Sequence, residues 1–167
     1  MADVRLIWLC LAACTTAGAE TKQTSGIKPP AGWTSQPPIA AAAKDALGKT
    51  TVDGIEAFGE PAMGCYSVWM ALRGTGDAKD VAEQIVRGLT APDKNSKQPK
   101  RKLEIKDVVT PTAEAGVLAL SFESAPYQGR LRVRLAQGKL TALACWSSRR
   151  EPLACEQTCT TVLGALP

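Results

Sequence analysis

The sequence predicts an α+β fold: an antiparallel sheet of about six strands packed by helices, in the manner of an α/β/α sandwich. Three observations carry this. Between residues 103 and 146, four strand-like runs follow one another with Pro or Gly in the breaks, at the spacing of a meander. Ahead of them, a hairpin-like pair of runs leads into Val81, Ile85 and Leu89, an i, i+4 stripe with Ala82 and Val86 alongside. After them, a strongly apolar strand feeds a helix that carries two cysteines. Strands that alternate with helices and then run as a meander belong to the α+β class. A chain of 167 residues can bury one core and is short for two.

In chain order, Leu6 to Ala13 is an apolar run, followed by small residues ending Ala17-Gly18-Ala19. The run is far below the roughly 20 apolar residues that span a bilayer, so residues 1–19 read as a secretory signal peptide. A second reading is favoured: Leu11-Ala12-Ala13-Cys14 resembles a bacterial lipobox, in which residues 1–13 are removed and Cys14 is lipidated. Residues 20–31, rich in Thr, Ser, Gly, Gln and Pro, read as a flexible tether, and residues 32–167 as a single domain. Trp33 is expected as the first ordered contact on the core. Pro37 and Pro38 read as breakers, with an alanine-rich helix from Ala40 to Leu47 ended by Gly48.

Thr50 to Phe58 and Met63 to Leu72 read as the hairpin. Gly74, Thr75 and Gly76 precede Asp77, the N-cap expected for the helix of Val81. Those glycines invite a phosphate-loop reading, but the dinucleotide and P-loop fingerprints are both incomplete, and Asp77 would repel an anion. A turn and cap is preferred. Ala91 to Lys102 holds five basic residues against Asp93 and no aromatics, the composition of a solvated loop.

The four later strands are Leu103 to Val109, Val117 to Phe122, Arg130 to Leu135 and Leu140 to Trp146. In the third, Leu131, Val133 and Leu135 alternate with Arg130, Arg132 and Arg134, so one side is buried and the other bears a positive stripe. The three arginines are a candidate anion-binding set; pairing with Glu123 and Glu104 on neighbouring strands is the preferred use. Leu140 to Trp146 is too uniformly apolar for a strand with one wet face and is expected at the sheet centre. Ser148 and Glu151 form a capping box, with Pro152 in the first turn of a helix running to Ala165. On that helix Cys155, Cys159, Val162, Leu163 and Leu166 fall within an arc of about 100°.

Either cut of the leader removes Cys10 and leaves Cys65, Cys145, Cys155 and Cys159 in the folded part. An even number in an exported chain points to two disulfides, of about 2–4 kcal/mol each. Cys145 lies near its strand end and Cys155 one turn into the returning helix, which favours Cys145 with Cys155 and Cys65 with Cys159. A redox pair or half a metal site on Cys155 and Cys159 is the competing reading; the wider spacing and the absence of histidine weigh against it.

The formal net charge of +4 confers solubility and does not point to nucleic acid. Without histidine, Ser-His-Asp and Cys-His arrangements are excluded within the chain. The carboxylates lie mostly in polar or turn-like segments, so a non-catalytic protein with no cofactor is expected.

The opening Gly32-Trp33, the strand–helix unit Cys65 to Leu89 and the closing unit Leu140 to Leu166 together resemble the Mog1/PsbP-like α/β/α sandwich, whose bacterial envelope members include DcrB-like lipoproteins. The resemblance spans about Gly32 to Leu166. It implies an accessory or assembly protein of the cell envelope and transfers no functional residue, because a shared fold does not assign an activity. The expectation is an exported envelope module, lipid-anchored or periplasmic, that binds another envelope protein or a small ligand.

Overall fold

The computed structural model describes residues 24–48, 50–73, 77–90, 103–111, 116–124, 126–136, 138–148 and 153–166. Among them are β1 (Thr34–Ser35), α1 (Pro37–Ala46), β2 (Val52–Glu60), β3 (Cys65–Arg73), α2 (Ala78–Thr90), β4 (Glu104–Val109), β5 (Val117–Ser124), β6 (Tyr127–Ala136), β7 (Lys139–Ser147) and α3 (Leu153–Gly164). The leader with Cys14, the glycines at 74 and 76, the basic stretch at 91–102 and the capping-box partner Glu151 lie outside the described residues.

The strands form one antiparallel sheet of seven, in the order β1-β2-β3-β7-β6-β5-β4. The chain leaves β3 through α2, crosses to the far edge at β4, and returns strand by strand until β7 closes the gap beside β3. That places the apolar run from Leu140 to Trp146 at the centre, as expected. Leu140, Ala142, Ala144 and Trp146 are buried on one face, and Leu143, Cys145 and Ser147 on the other.

The first face is the larger core. Val68, Met70 and Leu72 of β3, the β7 residues just named, Leu131 and Val133 of β6, and Leu118, Leu120 and Phe122 of β5 are covered by Ala43 and Ala46 of α1 and by Val81, Ala82 and Ile85 of α2. Gly129 sits under this core. A Cβ there would stand 2.6 Å from both Phe122 and Trp146 and 2.5 Å from the Cys145 carbonyl oxygen, so the missing side chain is what lets the two aromatic residues close over the strand.

Pro37 and Pro38 do not break a regular element; they begin α1. The first turn has N–H groups without helical acceptors, so proline loses nothing there and brings its φ preset. Gly48, at φ 61°, follows the helix in the left-handed conformation expected of a terminating glycine. The Asp77 carboxylate accepts the Lys79 N–H at 2.8 Å, the N-cap role read for it. β1 was not expected: its two residues pair with Gly59 and Phe58 on the edge of β2.

The second face is covered by α3 together with Trp33 and Ile27, over Trp69, Ala71, Leu143 and Cys145. Among the described residues helical cover is therefore unequal, two helices on one face and one on the other. Of the stretch read as a tether, residues 24–31 lie against this face: Ser25 donates from its N–H and its hydroxyl to the Glu56 carboxylate, and Ile27 packs into the cluster. Trp33 and Trp69 share this layer, while Trp146 lies on the opposite one.

Two disulfides fix α3 to the sheet, Cys65–Cys155 and Cys145–Cys159, with Cα separations of 5.5 and 5.4 Å. This corrects the expected pairing. β7 continues two residues past Cys145 to Ser147, which is paired with Cys65 on β3. The helix thus begins level with Ser147 and Cys65, not with Cys145. Four helical residues advance about 6 Å and two strand residues about 6.7 Å, so the step from Cys155 to Cys159 matches the step back from Ser147 to Cys145. Cys155 and Cys159 enter separate bridges, so they do not form a redox couple with each other.

Candidate functional site: a cleft between α3 and the β4–β5 edge

Alternation along β6 puts Arg130, Arg132 and Arg134 on the second face, where α3 lies across the strand. Arg130 places Nη2 2.6 Å from Glu156 Oε1 and donates from Nη1 to Thr160 Oγ1 at 3.1 Å. Arg132 donates to the Leu163 carbonyl at 3.2 Å, which also accepts the Leu166 N–H at 3.3 Å, at the end of a helix, where a cation is favoured by the helix dipole. Arg134 is exposed. Arg130 and Arg132 therefore seat the helix. The expected pairing with Glu104 and Glu123 does not occur, because Lys106 on β4 occupies both carboxylates, Glu123 at 2.9 Å and Glu104 at 4.0 Å. The hydrogen bond and charge of Glu123 hold the Lys106 ammonium above the ordinary lysine range, with lesser help from Glu104 and Asp107.

Beside α3 a cleft of about 240 Å³ opens on the second face. Lys106 and Asp107 come from β4, Ser121 and Glu123 from β5, Gln128 and Arg130 from β6, and Glu156 from α3, with the cysteines of the Cys145–Cys159 bridge beneath. Asp107 has φ 52°, the one non-glycine residue at positive φ among those described, and stands where the β4–β5 register shifts between Lys106 and Val109. A bulge re-aims the side chains that flank it, and both Lys106 and Asp107 line the cleft.

Of the residues singled out from sequence, the structure brings Arg130, Cys145, Cys155 and Cys159 to the cleft and leaves Arg134 away from it. Lys106, Ser121, Gln128 and Glu156 were missed, and Glu123 was expected only as a partner of the arginines. Their signal was the i, i+2 placement of Glu104 with Lys106 and of Ser121 with Glu123, which puts each pair on one face of its strand. Among the described residues no group of three or more His, Cys, Asp or Glu is placed to hold a metal ion, and no helix is long and apolar enough to cross a membrane. The charged, hydroxyl and amide side chains that line the cleft can pair ions and make hydrogen bonds.

No protein-family model matches the chain, and no curated protein does.

Proposed function

We propose that this protein is an exported, disulfide-stabilised, non-catalytic module of the cell envelope, lipidated at Cys14 and acting by binding an envelope protein or a small ligand. The observation that carries the reading is the pair of bridges. All four of Cys65, Cys145, Cys155 and Cys159 are buried, and together they hold α3 over the sheet. Disulfides of this kind persist in oxidising compartments such as the periplasm or the cell exterior. The Leu11-Ala12-Ala13-Cys14 leader supplies the route there and the anchor. Kinship with the Mog1/PsbP-like envelope proteins belongs to the same proposal, supported by the order of the units 65–89 and 140–166.

Cys14→Ser tests the anchor. In the native host the unaltered chain should fractionate with membranes and carry an acyl addition on intact-mass measurement, and the variant should move to the soluble fraction. Unchanged fractionation, or a mature chain starting at Glu20, would remove lipidation from the account.

A further inference from the structure

We infer that the cleft beside α3 binds a small basic zwitterion of amino-acid size. This deepens the reading as a binding module by naming its ligand class, and it rests on that reading.

Size is the first indication. At about 240 Å³ the cleft is smaller than the roughly 300–1,000 Å³ typical of drug-sized ligands, so its occupant is small. Charge pattern is the second. Each side of the cleft presents a cation next to an anion: Lys106 with Glu123 on the β4–β5 side, Arg130 with Glu156 on the β6–α3 side. A ligand with charge of one sign would face a like charge on both sides, whereas a dipolar one can join both ion pairs, whose side chains are about half exposed. Like-charge contacts are how such sites reject wrong partners. Ser121 and Gln128 lie between as neutral hydrogen-bonding groups.

The acids lining the cleft, Asp107, Glu123 and Glu156, outnumber the cations Lys106 and Arg130. A zwitterion with one additional positive charge is therefore favoured, its carboxylate on Lys106 and Arg130 and its ammonium groups on the carboxylates. The preference runs against the whole chain, whose formal charge is +4. Non-specific attraction would select an anion. Two features fit a built site. Asp107 is held in a left-handed conformation at its edge, and such strained residues cluster at ligand sites. The floor is cross-linked by Cys145–Cys159, so the groups on β6 and α3 are positioned before a ligand arrives.

The test uses the full, disulfide-intact chain carrying Cys14→Ser, so that anchoring plays no part in the outcome. The probes are L-lysine, glycine and L-glutamate, titrated separately and followed by amide NMR shifts. The expected result is saturable shifts at Ser121, Gln128 and Glu156, with L-lysine binding about two- to fivefold tighter than L-glutamate, the scale of one half-exposed charge contact. Glu156→Gln and Glu123→Gln should each reduce the lysine preference, and Lys106→Gln should weaken all three probes. Spectral dispersion checks that each variant is folded. Tighter binding of L-glutamate, shifts elsewhere on the surface, or no saturable shift with any probe would overturn the inference while leaving Cys14 and the envelope reading untouched.

Discussion

A side chain at Gly129 would have to enter space already filled by Phe122, Trp146 and the Cys145 carbonyl. Gly129→Ala should lower stability by about 1–3 kcal/mol, the usual cost of overpacking, seen as a lower urea midpoint with an unchanged slope. Lys106 acts differently, through charge on the surface. Its folded-state pKa is raised, chiefly by Glu123, so the folded chain holds that proton more tightly than the unfolded one. The stability gained is present in full below the ordinary lysine range and is lost as pH rises through the folded-state value. The difference in urea midpoint between the unaltered chain and Lys106→Gln should therefore be small and flat from neutral pH upward, then vanish in strong alkali. A difference that grew with pH would mean that Glu123 is not its partner.

At the scale of elements, α3 is the piece that depends most on covalent attachment. Its two bridges differ in the chain they enclose, with sequence separations of 90 for Cys65–Cys155 and 14 for Cys145–Cys159. Closing the longer loop removes more freedom from the unfolded chain. Replacing Cys65 and Cys155 together by Ala should thus cost about 1–2 kcal/mol more than replacing Cys145 and Cys159, measured by calorimetry on the two double variants. Much of the element order was legible in the sequence. The stripe Val81, Ile85, Leu89 marked α2, and the unbroken apolar run from Leu140 marked the central strand, because helix and strand periods are local properties. The prolines at 37 and 38 were misread since a residue that cannot continue a helix is also well suited to start one. The bridge pattern was not legible, because it turns on two residues: where β7 ends fixes which strand position faces the first turn of α3. The cleft was hidden for a related reason. Its charges come from β4, β5, β6 and α3, far apart in the chain, and only the sheet order brings them together.

At the scale of the molecule, the returning meander inserts the last strand between β3 and β6, so the C-terminal strand–helix unit lies against both halves of the sheet. Cys65–Cys155 ties the early hairpin to the last helix, and Cys145–Cys159 ties that helix to its own strand. Helix, cross-linked floor and polar cleft are then joined covalently in one assembly, and the proposed binding rests on it. The most direct test is a peptide map of the unreduced chain cut with a glutamate-specific protease, since Glu151 and Glu156 separate Cys145, Cys155 and Cys159 from one another. The expected products are a peptide with Cys65 linked to one with Cys155, and a peptide with Cys145 linked to one with Cys159. Linkage of Cys145 to Cys155, of Cys155 to Cys159, or four free thiols would contradict the account.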